Sequence, residues 1–487
     1  MVVTCLYGIA FVVLGNLSGN AIAFGIYVMN AVGYSDPAKG TVIALAIAAL
    51  SFTVLLHMAS RRVGILLNNA FAVVKVALLV AIIVLGFMKA GGVTLGGLPK
   101  ATDNFDIATS FKPGASEVPS VSNSLLYVIY TYSGFEQPFY VLAEVAGPRK
   151  LFPMYTLIAM ATAITLFLLV NAAYLCAVPW DLPALHEQRN MATVFFDRVF
   201  SNEIARRVMD GIIALSILGN LIVMTYTASR VKQEIAKEGI LPWSLELATS
   251  RRTLMAMLSR LRRANRQTEQ ENRDESLSRD DRQTGHENRD EPLEQSPMAA
   301  LTLHWIASVL LIGLTAMLDP AIAYSVLVTL YSYVIIIING FFTSFGLLYL
   351  KFTKSSRWKN PNFHPRGGAV YAAVYCVVCG FLLFAALAKP SDSSPYSYAA
   401  THITWFLLPV IGLSVPMWGV MWYLGLRLME AARSRYLVVQ RVHTTRPDDC
   451  MADQYVMTSE EIILQWHVDR PERPATAEGI ELHSRSG

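Results

Sequence analysis

Ser133, Gly134, Glu136, Gln137 and Pro138 stand together in the stretch IYTYSGFEQPFYVLAEVAGPRK (129–150), inside an apolar run that opens near Val121. Pro138 has no N–H, so the Gly134 carbonyl loses its usual helical partner. Gly134 itself admits backbone angles that other residues avoid. The spacing therefore predicts a helix that stops and restarts mid-span, with exposed backbone groups. Non-helical backbone at that depth is tolerated only against protein or a water-filled cavity. Backbone dipoles there suit the carboxylate and ammonium of a zwitterion. The plainer alternative is a kinked structural helix. Glu136 falls at the proposed break, where an ionisable group costs about 2.5–3.5 kcal/mol unless paired or hydrated.

A second ionisable residue, Lys75, lies in NNAFAVVKVALLVAIIVLG, too deep in its apolar run for its amine to snorkel out. Out of water a lysine can exchange its proton, and its charge can replace a bound metal cation. The alternative is a static pair with a Glu or with helix-end carbonyls. The first apolar run, LYGIAFVVLGNLSGNAIAFGIYVMNA, places Asn16 and Asn20 four residues apart on one helix face among Gly15, Ser18, Gly19 and Gly25. Small residues at this density let backbones approach closely. The two Asn side chains would otherwise face a cavity. Ser216, Gly219, Asn220, Thr225 and Thr227 form a similar stripe, as do Tyr324, Tyr331, Ser332 and Asn339. No metal cluster, nucleophile–base pair, phosphate loop or cofactor motif is legible, which argues against an enzyme.

These residues need a membrane to sit in. The chain is 54% hydrophobic and 16% charged over 487 residues, with a mean hydropathy of +0.41. That is too little polar surface for a soluble protein of this length and predicts an all-α integral membrane protein. Ten stretches are long and apolar enough to span, near 6–30, 41–59, 64–88, 121–143, 154–178, 208–229, 300–318, 321–349, 369–388 and 402–425. No cleavable signal peptide is legible. Cys376 and Cys379 have redox-motif spacing but fall on a span and read as packing residues.

Orientation follows from the basic residues. Arg61 and Arg62, Arg149 and Lys150, Arg230, Lys232 and Lys237, Lys351 to Arg366, and Arg427 to Arg435 share one side if the spans alternate. The positive-inside rule makes that side cytoplasmic, with both Met1 and the C-terminus inside. The expected organisation is spans one to six in 1–229, a cytoplasmic insertion at 230–299, spans seven to ten in 300–430 and a cytoplasmic tail at 431–487.

Within the insertion, RQTEQENRDE (266–275) recurs as RQTGHENRDE (282–291). So charged a repeat cannot bury a core and reads as disordered. Before it, Leu254, Met257, Leu258 and Leu261 recur at helical spacing among Arg251, Arg252, Arg260, Arg262 and Arg263. That pattern fits either an amphipathic helix on anionic membrane lipids or a solvated basic linker. Nucleic-acid binding is disfavoured because no folded reading module accompanies the charge. The tail is polar, with no further motif.

YSGFEQPFYVLAEVAGPRKLFP (132–153) resembles the sixth helix and following loop of the amino acid–polyamine–organocation superfamily, most like its fungal L-type members of the methionine-permease kind. GNLSGNAIAFG (15–25) is similar to that family's third helix and NNAFAVVKVALL (68–79) to its fifth. TASRVKQEIAKEGILP (227–242) is similar to the eighth helix and its loop, and ALTLHWIASVLLI (300–312) to the ninth. The resemblance implies a LeuT-like inverted-repeat fold of twelve helices working by alternating access, the ten spans here corresponding to the third to twelfth. It implies secondary, proton-coupled transport of a neutral, methionine-like amino acid, with protons as coupling ion and the plasma membrane as location. Tyr130, Tyr132, Ser133, Gly134 and Phe135 match the unwound segment that would receive the substrate's ammonium group, with Phe135 or Tyr130 as an aromatic gate. Asn16, Asn20 and Asn220 are further candidates for substrate contact. Glu136 matches a polar position after the break and Lys75 a fifth-helix lysine standing in for sodium, both candidates for ion coupling. Glu144 and Arg149 match the cytoplasmic gate. Two other readings stand beside transport: a non-transporting sensor or scaffold signalling through the insertion and tail, and an inactive product lacking the family's first two helices.

Overall fold

A computed structural model describes residues 2–34, 36–93, 103–106, 118–141, 148–179, 191–258, 295–353, 367–389, 404–434, 436–447 and 456–467. The first apolar run forms two helices, α1 (Val2–Leu14) and α2 (Ser18–Val32). Then come α3 (Lys39–Ala59) and α4 (Arg61–Ala90), α5 (Val118–Thr131) and the single turn α6 (Gln137–Tyr140). They are followed by α7 (Pro148–Ala177), α8 (Met191–Phe200), α9 (Glu203–Lys237) and α10 (Ser244–Ala248). The second half holds α11 (Met298–Thr315), α12 (Pro320–Tyr331), a π-helical segment (Ser332–Ile338), α13 (Asn339–Phe352), α14 (Gly368–Ala385) and α15 (Leu407–Arg433).

Local chemistry sets several helix starts. The Ser60 hydroxyl accepts from the Val63 N–H at 3.3 Å and Asn202 Oδ1 from the Ile204 N–H at 2.9 Å. Asp319 Oδ1 accepts from the Ala321 N–H at 3.1 Å, and Pro320 opens α12 where its missing N–H costs nothing.

Nine of the ten expected spans appear among the described residues as helices long and apolar enough to cross a membrane. The tenth, 121–143, is the interrupted one: α5 and α6 are separated by a turn at 132–136, and neither crosses alone. The chain is a multi-pass integral membrane protein. Val73, Leu66, Leu157, Leu168 and Phe384 are exposed, as expected where the solvent is hydrocarbon.

Helix α9 is the hub, packing against α1, α2, α3, α4, α6, α8, α10 and α11. With the hydrophobic effect weak between lipid-solvated helices, close approach does the holding. At Gly25 of α2 a Cβ would lie 2.6 Å from the Val42 carbonyl oxygen of α3, so only glycine admits that contact. The π segment is buried throughout and packs on α1, α5, α14 and α15. Its i→i+5 pitch widens the backbone beside the broken helix.

Two expectations change, at the insertion and in the tail. The insertion was expected to begin at 230, yet α9 runs on to Lys237 and is followed by α10. Strands β1 (Arg251–Arg252) and β2 (Gln295–Ser296) then pair antiparallel, Arg251 opposite Ser296, so the two ends of the insertion lie side by side. Residues 254–258 are helical, with Leu254, Met257 and Leu258 exposed. Leu261 and the 266–291 repeat lie outside the described residues. The tail carries a hairpin that its polar composition conceals: β3 (Tyr436–Pro447) pairs antiparallel with β4 (Val456–His467), Tyr436 opposite His467. Strand β4 packs on α10.

Candidate functional site

The interruption between α5 and α6 is a run of tight turns. The Tyr132 N–H donates to the Ile129 carbonyl at 3.1 Å and the Ser133 N–H to the Tyr130 carbonyl at 3.0 Å. Gly134 has φ +107°, a region L side chains rarely adopt, while a Cβ there would meet only Gln137 Cγ at 3.9 Å. Glycine is thus required by conformation, and space is available. The expected free carbonyl at Gly134 does not occur: it accepts from the Gln137 N–H at 3.1 Å. With Pro138 unable to close the i+4 bond, the chain tightens to i+3 instead.

Glu136 folds back over this turn. Its Oε2 accepts from the Gly134 N–H at 2.9 Å and its Oε1 from Gln137 Nε2 at 3.2 Å. Gln137 Oε1 accepts from the Thr227 hydroxyl on α9, which ties the restart of the helix to the hub. Tyr7, Tyr140 and Tyr331 lie within electrostatic reach of the Glu136 carboxylate. The Tyr130 hydroxyl donates to Asn20 Oδ1 at 2.7 Å, and its ring meets Tyr331 edge-on with centroids 6.4 Å apart. The end of α5, just before the turn, therefore meets both α2 and α12. Tyr132 packs against Phe167 at 5.4 Å, and Phe135 is 38% exposed at the rim.

The remaining sequence candidates go elsewhere. Lys75 donates to Asn220 Oδ1, joining α4 to α9. That bond takes Asn220 into the lysine's neighbourhood, and Lys75 and Glu136 are not paired. Asn16 is committed to its own chain: Nδ2 donates to the Val13 carbonyl at 2.8 Å, and Oδ1 accepts the Ser18 N–H at 3.1 Å and the Ser18 hydroxyl. It closes the gap between α1 and α2 as an Asx turn. Glu144 lies outside the described residues, and so does the side chain of Arg149.

Tyr7 and Tyr140 carry no signal in the sequence, and the polar stripe that includes Thr227 does not reveal its bond to Gln137. Sequence reasoning also counted Lys232 among cytoplasmic basic residues. Lys232 is instead wholly buried, its Nζ donating to the Gly15 carbonyl at 3.1 Å and lying 3.0 Å from His304 Nδ1. Helical phase carried the clue. Arg230, Glu234 and Lys237 share one face, which leaves Ala228, Lys232, Ile235 and Ala236 on the other.

The profile of a family described as amino acid permease matches residues 1–415. The chain is 26% identical over 250 residues to the high-affinity methionine permease of Saccharomyces cerevisiae, covering 51% of this chain and 42% of that protein. It is 24% identical over 253 residues to the low-affinity methionine permease of the same yeast, covering 51% and 44%. Similarity to the human b(0,+)-type amino acid transporter 1 is 25% over 203 residues, 42% of this chain and 39% of that one. The matched region thus spans less than half the length of each of these relatives.

Proposed function

Since the chain belongs to the amino acid permease family, we propose that it carries a neutral amino acid of the methionine kind across a membrane by alternating access, with protons as the coupling ion. The observation that carries this reading is the unwound turn at 132–136, whose flanking residues Tyr130 and Gln137 are bonded to α2 and α9. The carbonyl end of α5 presents a negative dipole suited to an ammonium group. The Glu136 carboxylate lies beside it, both oxygens already accepting N–H bonds. A substrate ammonium competes for those oxygens, so binding loosens the turn. Protonation acts on the same bonds, because a protonated oxygen donates where it had accepted. Phe135 and the tyrosine rings offer faces to an apolar side chain. Lys75, bonded to Asn220, supplies a fixed cation between α4 and α9 in place of a metal ion. The substrate class is taken from the two yeast permeases, and the plasma membrane from the family.

Uptake of labelled methionine by cells lacking their own permeases tests the proposal. Uptake by the chain that disappears in Glu136→Gln and Lys75→Met supports it. Methionine binding without uptake, unaffected by either substitution, sinks it. That outcome favours a second reading, a non-transporting sensor or scaffold, for which the paired β1–β2 strands and the β3–β4 hairpin offer folded cytoplasmic surfaces.

A further inference from the structure

The break between α1 and α2 has a second consequence, away from the turn at Gly134. Ending α1 at Leu14 leaves carbonyls without i+4 donors, and the Gly15 carbonyl is answered by Lys232 Nζ at 3.1 Å. The same nitrogen lies 3.0 Å from His304 Nδ1 and 5.6 Å from the centre of the Phe11 ring. Lys232 is 0% exposed and His304 1%. Among the described residues no carboxylate pairs with Lys232. A carbonyl at a helix C-terminus, an imidazole and an aromatic face are three groups that hold a cation by dipole and quadrupole alone.

Several titratable groups on and around α9 have other partners, among them the buried Asp210, which accepts from the Thr193 hydroxyl at 2.8 Å. From α3, His57 reaches His304 electrostatically while its Nε2 lies 2.7 Å from the Ile222 carbonyl. That bond makes Nε2 the protonated nitrogen and leaves Nδ1 buried without a partner. From α4, Lys75 is bonded to Asn220 and Arg61 lies over the Tyr226 ring. On α10, Glu246 is bonded to Arg251 at 2.5 Å. On α9 itself Glu234 is paired with Lys237 at 2.6 Å.

We propose that the Lys232–His304 pair is a second proton-binding site of this protein, holding one proton at a time at the junction of α1, α9 and α11. When Lys232 is an ammonium group it donates to His304 Nδ1, which fixes His304 as the neutral tautomer with its proton on Nε2. A further proton would put two cations 3.0 Å apart, so the pair titrates as one unit. Loss of the proton leaves a neutral amine and weakens the bond to Gly15, so the charge state acts on the α1–α2 break. The site exists whether or not the chain transports. That it adds to the pH dependence of uptake rests on the transport reading.

The test is nitrogen-15 NMR of the full-length, histidine-labelled protein in lipid nanodiscs between pH 5 and 9. The His304 resonance is identified by its absence in His304→Asn, a change that keeps an acceptor for Lys232. A single-proton step at His304, whose midpoint moves by about one pH unit or more in Lys232→Met, is the expected result. A His304 signal that stays constant across the range and ignores Lys232→Met overturns the proposal and makes the pair a static packing contact. Should Lys232→Met fail to fold, Lys232→Gln serves in its place, and the wild-type titration alone still decides whether the site takes up a proton. Uptake separates the two ideas: a titrating pair in a chain with no uptake in any form keeps the proton site and defeats the transport reading.

Discussion

Replacing Gly134 with alanine isolates the backbone geometry on which the proposed site depends. The added Cβ meets no atom closer than Gln137 Cγ at 3.9 Å, so steric crowding contributes nothing. What remains is the cost of holding an L residue at φ +107°, about 1–3 kcal/mol. If substrate binds only when this turn is formed, that cost appears as a weakening of about 5- to 150-fold in apparent affinity. Gly134→Asn should recover part of the loss, since asparagine tolerates positive φ better than alanine. Gly86→Ala is the control. It has no positive φ, but its Cβ would lie 2.4 Å from Ala173 Cβ, so it should lower stability by disrupting the α4–α7 contact far from the turn. Half-saturation of methionine uptake, measured beside thermal unfolding of purified protein, separates the two effects. Gly134→Ala should shift the half-saturation concentration while the melting temperature moves little. Wild-type uptake by Gly134→Ala would refute the reasoning, because it would mean the turn is dispensable for binding.

Tyr130→Phe removes the 2.7 Å donation to the half-buried Asn20, a loss of about 0.5–1.5 kcal/mol. Asn20→Ala combined with it should cost less than the sum of the two, as a double-mutant cycle on thermal unfolding would read. Thr227→Val cuts the bond to Gln137 with almost no change of volume. Uptake should fall while helical circular dichroism stays at the wild-type level, and unchanged uptake would remove Gln137 from the site. Because β1 and β2 bring Arg251 and Ser296 together, replacing residues 259–290 by a short Gly/Ser linker should leave the melting temperature where it was. A large drop would show that the deleted residues contribute to the fold.

Much of this protein is legible in one dimension. Hydrocarbon imposes its own rule: a span must be long, apolar and helical, so the spans at 41–59 and 64–88 can be read from composition alone. The interruption at Gly134 and Pro138 is equally local, since a missing N–H and a missing Cβ act within four residues. Tertiary structure decided the partners. Asn16 and Asn20 are spaced to share a helix face and look equivalent in sequence. One is consumed by its own turn and the other meets Tyr130 from a helix more than a hundred residues away. Lys75, a rare charge in an apolar run, could pair with a Glu or with helix-end carbonyls, and α4 brings it to Asn220 instead. Lys232 lies amid ordinary basic residues in the sequence and is buried because helical rotation turns it toward Gly15 and His304. A sequence specifies where backbone must be satisfied and where charge is expensive. Which groups meet that charge depends on how helices rotate and approach, and only the packed fold fixes that.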